Sequence, residues 1–141
     1  MTQGTAVSPA TRLAAVGDTG TPVLSSEDVR GSDVRDPAAE KIGTVEDLIV
    51  DKATGRVRLL RVGSGGVLGF GRSHRLIPVD VVTDIVQGAV FVDRSRERVS
   101  DAPLEPVRLD DERSITDVYA FFGYPPFWSA EYRQPEWTSH N

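Results

Sequence analysis

From Val23 onward the apolar residues come in short runs separated by turn residues, a texture that predicts strands and tight connections. The clearest unit is a hairpin: Thr44-Val-Glu-Asp-Leu-Ile-Val-Asp51, the loop Lys52-Ala-Thr-Gly55, then Arg56-Val-Arg-Leu-Leu-Arg-Val62. Gly55 supplies the left-handed residue such a loop needs. Pairing Asp51 with Arg56 sets Val50 opposite Val57, Leu48 opposite Leu59 and Glu46 opposite Arg61. That register points Leu48, Val50, Val57 and Leu59 into a core, while Val45, Asp47, Ile49, Arg58, Leu60 and Val62 form a mixed face. A glycine-rich connection, Gly63 to Gly71, leads through Arg72-Ser-His-Arg75 into Leu76-Ile-Pro-Val79. Pro78 cannot donate to a ladder, so that strand lies at an edge or ends there. Val81–Val86 and Val90–Asp93 flank Gln87-Gly-Ala89 as a second hairpin, and Ser95 to Ser100 fits one helical turn.

The period then changes to that of a helix. Ile115, Val118, Tyr119 and Phe122 share one helical face, with Ser114 as the N-cap, Asp117 near the positive end and Gly123 at the stop before Pro125-Pro126. Tyr119-Ala-Phe-Phe-Gly-Tyr-Pro-Pro-Phe-Trp128 holds six of the ten aromatics of the chain. So apolar a stripe must pack on the domain, on a second copy or on a partner. Residues 1–22 are rich in small and polar types and read as a flexible arm. Residues 23–109 form the β-domain and 110–128 the helix with its aromatic extension. Residues 129–141 read as a loose polar tail.

Composition narrows the chemistry. The chain has 141 residues and a formal charge of -5, which suits one modest core and argues against general nucleic-acid binding. It has no cysteine, so disulfides and thiol chemistry are excluded, and the composition is compatible with a cytoplasmic location. No apolar run approaches the roughly 18–20 residues that cross a bilayer. After Gly63-Ser64-Gly65 the third glycine of a dinucleotide fingerprint would fall on Leu68, and no phosphate-loop lysine follows. His74 and His140 have no second ligand at metal spacing, and neither a nucleophile elbow nor a calcium loop is present. No catalytic residue, cofactor or metal site is predicted.

Charge is uneven along the chain. No acid lies between Asp51 and Asp80, a stretch holding Lys52, Arg56, Arg58, Arg61, Arg72 and Arg75. The region is either a basic face for RNA, lipid headgroups or an acidic partner, or it pairs with the acids of residues 27–51; the predicted register favours pairing. Candidate partner-binding residues are Phe70, Arg72, His74 and Arg75 in the connection, and Tyr124, Phe127 and Trp128 in the Pro-kinked extension.

Taken together, these residues resemble the PRC-barrel family, named for the cytoplasmic domain of the H subunit of photosynthetic reaction centres. The fold is also similar to the C-terminal domain of the ribosome maturation factor acting on 16S rRNA. Val29-Arg-Gly-Ser-Asp-Val34 is similar to the opening "V-x-G-x-x-V" strand. Lys41-Ile-Gly-Thr-Val-Glu-Asp-Leu-Ile-Val-Asp51 with Thr54-Gly55 resembles the central motif. Gly66 to Gly71, Leu76-Ile-Pro78, Ser95 to Pro103 and Tyr119 to Trp128 resemble the later segments in order. The resemblance implies a small, strongly bent antiparallel β-barrel. It also implies a stand-alone non-enzymatic module that binds a protein or assembles with itself, with peripheral contact to a membrane complex as one setting. A link to photosynthetic electron transport rests on that resemblance alone. The alternative is an RNA- or ribosome-associated factor using the arginines of residues 56–75.

Overall fold

A computed structural model of the chain describes residues 8–65, 73–105 and 108–135. Seven strands form one sheet: β1 (Leu13–Ala15), β2 (Asp33–Arg35), β3 (Lys41–Asp51), β4 (Val57–Ser64), β5 (Ser73–Pro78), β6 (Val82–Val86) and β7 (Ala89–Val92). Among the described residues three α-helical segments accompany them: α1 (Val16–Thr19), α2 (Arg96–Ser100) and α3 (Glu112–Phe121). The sheet order is β5-β4-β3-β2-β7-β6, and β1 also pairs with β3.

The β-rich architecture is as the pattern predicts, with two differences. Among the described residues β5 and β6 do not pair, so the sheet is open and not a closed barrel. The β2–β7 pair is parallel, whereas the other pairs are antiparallel.

The β3–β4 hairpin closes as expected: the Asp51 N–H donates to the Arg56 carbonyl at 2.9 Å, Gly55 has φ 75°, and Val50 faces Val57. Beyond that point the register departs from the prediction. Irregularities between Ile49 and Val50 and between Val45 and Asp47 put Leu48 opposite Leu60, Ile49 opposite Leu59 and Asp47, not Glu46, opposite Arg61. A bulge adds a residue on one strand, which no strict alternation anticipates. Lower in the hairpin the strands pass very close, and a Cβ at Gly43 would stand 2.4 Å from the Gly63 carbonyl oxygen.

The consequence is a sheet buried on both faces. Leu48, Val50, Val57, Leu60 and Val62 enter a first core with Val34, Ile77, Ile85, Val90 and Val92. Ile49 and Leu59 belong to a second core with Leu76, Ile115, Val118, Tyr119 and Phe127. Leu59, predicted to share the core of Leu48, therefore lies on the other side.

The cover of that second core comes from both ends of the described chain. Residues 1–22 were expected to be a flexible arm, yet from Ser8 the chain is ordered structure. Pro9–Arg12 forms a 3₁₀ turn, and β1 pairs Leu13 with Asp51, Ala14 with Val50 and Ala15 with Ile49. Ladder hydrogen bonds and small buried side chains hold it, so low bulk misled the composition argument. Helix α3 is capped by Asp111, whose side chain accepts from the Arg113 N–H, one turn before the predicted Ser114 cap. Ser114 instead donates to Asp111 at 2.8 Å. The predicted face is buried as a unit, and Gly123 takes φ 84° at the stop. The tail expected to be loose from residue 129 packs Tyr132 on the second core.

Candidate functional site

Asp51, the last residue of β3, is fully buried. Its carboxylate accepts from Arg12 at 3.1 and 2.7 Å, from Arg58 Nη2 at 3.0 Å and from the Ala53 N–H at 2.9 Å. Burial alone would raise this carboxyl. The hydrogen bonds from Arg12, Arg58 and Ala53 outweigh it and hold the group at about 2. The Arg58 guanidinium lies over the rings of Phe127, at 5.0 Å, and Tyr132, at 5.6 Å, and donates to the Gln134 Oε1. Arg12 lies over Phe127 at 5.2 Å. The junction thus clamps the C-terminal segment onto the sheet through a buried ion pair and cation–π contacts.

The Tyr132 hydroxyl donates to Asp80 Oδ1 at 3.3 Å. Burial pushes the Asp80 carboxyl up to about 6, against hydrogen bonds that lower it. Burial also raises the Tyr132 and Tyr119 hydroxyls. Arg58 Nε is buried with no hydrogen-bond partner among the described residues. The surrounding polar groups are matched to one another, so the cluster holds the fold together.

The described arginines of residues 56–75, Arg56, Arg58, Arg61 and Arg75, are spent internally. Arg56 donates to the buried Glu27 at 2.7 Å, and Glu27 also accepts from the Val57 N–H at 3.1 Å. Arg61 makes a bidentate pair with Glu105, both bonds at 2.8 Å, and reaches Asp47 at 3.5 Å. Arg75 donates to the carbonyls of Ala102 and Ser100 at 3.1 and 2.8 Å. A phosphate would have to displace these partners.

The predicted partner-binding residues do not form one patch. Phe70 and Arg72 lie outside the described residues. His74 pairs with Glu46 at 2.9 Å and is part exposed. Arg75 is committed as above. Phe127 is buried in the second core, its edge against Trp128 at a centroid distance of 4.9 Å. Trp128 and Tyr124 are part buried, and Arg94 lies 6.0 Å from the Tyr124 ring. The Pro-kinked extension, expected to reach outward, folds back because Arg12 and Arg58 offer its aromatics a cationic seat.

Among the described residues a different surface is left uncovered. The second core covers the outer face of β3, β4 and β5 only. On β7, Val90 and Val92 point into the first core, so Phe91 points to the outer face. With Pro37, Thr83, Asp84, Val86, Val92 and Asp93 it lines a shallow depression of about 650 Å³. Val86 is 47% exposed there. The outer edge of β5 is met by residues 100–105, where the Glu105 N–H donates to the His74 carbonyl at 2.9 Å. Among the described residues β6 pairs only with β7. Sequence reasoning missed this surface, although a large apolar residue at the outward parity of Ala89-Val-Phe-Val92 was its signal.

A PRC-barrel domain model matches residues 22–99. The chain belongs to the PRC-barrel domain family. No curated protein matches it. The match takes in β2 to β7 and most of α2, and so most of the first core. The elements that cover the second core, β1, α3 and the aromatic tail, lie outside the matched segment of this PRC-barrel chain. Among the described residues no helix is long and apolar enough to cross a membrane, and no group of His, Cys, Asp and Glu is placed to hold a metal ion.

Proposed function

We propose that this PRC-barrel chain is a non-enzymatic module for protein–protein binding or assembly. The outer face of β7 and β6, beside a strand edge that among the described residues pairs with no further strand, carries the reading. The outer face of β3, β4 and β5 is covered by the chain's own segments, and among the described residues the apolar area at Val86 and Phe91 is open to a partner. The reading places the module in the cytoplasm, docked on another protein, on a membrane-bound complex or on a second copy. The internal pairing of Arg56, Arg58, Arg61 and Arg75 favours this over an RNA-associated role.

The test compares the full chain with a Val86→Glu, Phe91→Ser double variant whose fold is checked by circular dichroism. The expected result is loss of a partner that co-purifies in stoichiometric amount, or loss of self-association seen by light scattering. A wild-type chain that stays monomeric and captures nothing the variant loses overturns the proposal.

A further inference from the structure

Building on that reading, we infer that the β6 edge takes up an extended peptide segment as an added strand, and that the segment carries basic side chains among apolar ones. The backbone geometry identifies the docking point. Gln87-Gly88 is a two-residue turn between Val86 and Ala89, so those two are the first hydrogen-bonded pair of the hairpin. Pairs alternate along an antiparallel ladder, which makes Ile85 and Val90 a non-hydrogen-bonded pair. The N–H and C=O of Ile85 therefore point away from β7, toward the open edge. Val90 turns its own groups toward β2, its parallel partner at Val34.

An outward N–H on an edge strand is the donor an added strand requires. Here it is occupied: the Ile85 N–H donates to Oδ1 of its neighbour Asp84 at 2.9 Å. Asp84 is exposed, and among the described residues its Oδ2 makes no hydrogen bond or ion pair. The carboxylate is thus a latch on the edge. A carbonyl of an incoming strand can take the amide only if Asp84 lets go, and a Lys or Arg on that strand gives the released carboxylate a partner.

The lining sets the rest of the specificity. Pro37, Val86 and Phe91 provide apolar contact, and the charged residues of the depression are Asp84 and Asp93, with no lysine or arginine among its lining residues. Asp93 already pairs with Arg94, which leaves Asp84 to read the incoming charge. Natural edges are blunted by Lys, Pro or bulges. Val82–Val86 contains neither Lys nor Pro, and its register shift lies between Val82 and Asp84, so Asp84 to Val86 stays regular. A second copy fits less well, because an antiparallel β6–β6 pair would bring two Asp84 carboxylates together without a cation.

The experiment titrates the full chain with a short synthetic peptide alternating valine or threonine with lysine, and with the same peptide carrying glutamate for lysine. Amide NMR shifts and hydrogen exchange are the readout. The expected result is binding of the lysine peptide with shifts centred on Asp84 to Val86 and slowed exchange at Ile85. The glutamate peptide should bind about five-fold more weakly or worse. Asp84→Asn, which keeps an acceptor for the Ile85 N–H, should erase most of that difference. Absence of binding, shifts elsewhere, equal affinity for both peptides, or discrimination that survives Asp84→Asn overturns the inference. So does a β6-mediated dimer that protects Ile85 without any peptide. If the Val86→Glu, Phe91→Ser variant still loses a partner while the peptides fail, the general binding reading stands and the added-strand inference falls.

Discussion

Two aspartates set the acid response of this chain in opposite directions. Asp51 is held at about 2, so its contribution to stability is present above the unfolded carboxyl range near 4 and is lost as pH falls toward 2. Asp80 is raised to about 6, so between pH 4 and 6 the folded chain keeps a proton that the unfolded chain releases. Stability contributed at Asp80 therefore falls as pH rises through that window and levels off above it. Asp80→Asn still offers the Tyr132 hydroxyl an acceptor and cannot ionise. Thermal unfolding of both proteins from pH 4 to 7 should show a downward drift in midpoint for the wild type that the variant lacks. A wild-type midpoint that climbs with pH relative to the variant sinks the assignment. Neither aspartate stood out in the sequence, because the Asp51 shift draws on Arg12, distant along the chain, and the Asp80 shift comes from burial in the folded chain, against the Tyr132 hydrogen bond that lowers it.

At the scale of elements, legibility followed local period. The two hairpins, the turn at α2 and the apolar face of α3 were readable, because each rests on neighbours within a few positions. The register beyond Val50 was not, since one extra residue at a bulge exchanges the faces of Leu59 and Leu60. Gly43 is a second feature hidden by period. It looks like an ordinary motif glycine, but its backbone lies against Gly63 so closely that any side chain must push β3 and β4 apart. Gly43→Ala should cost about 1–3 kcal/mol in urea unfolding, with the urea dependence of unfolding free energy unchanged. A neutral substitution would show that the strands separate there without cost, and that the close approach is not a packing constraint.

The whole molecule is a PRC-barrel sheet with two unequal layers. Residues 22–99 contain most of the first core, whereas the second core is completed by segments on either side of that span. The sequence did signal that the aromatic stretch must be buried somewhere. It could not say where, because the seat is built by Arg12 and Arg58 from distant elements. The layering makes a testable demand. Ending the chain at Gly123 removes Phe127, Trp128, Tyr132 and Gln134, uncovers Leu59 and Leu76, and strips Arg58 of both aromatic partners. Losing the buried Phe127 ring alone should cost about 3 kcal/mol or more. Of the aromatics removed, Tyr124 alone packs against the first core and only from its margin, so the β-type circular dichroism should persist while the unfolding midpoint drops. The newly bared outer face should bind an apolar dye and drive concentration-dependent association in light scattering. If the shortened chain instead stays monomeric with an unchanged midpoint, the tail is not what closes the second core, and its aromatics are free for a partner after all.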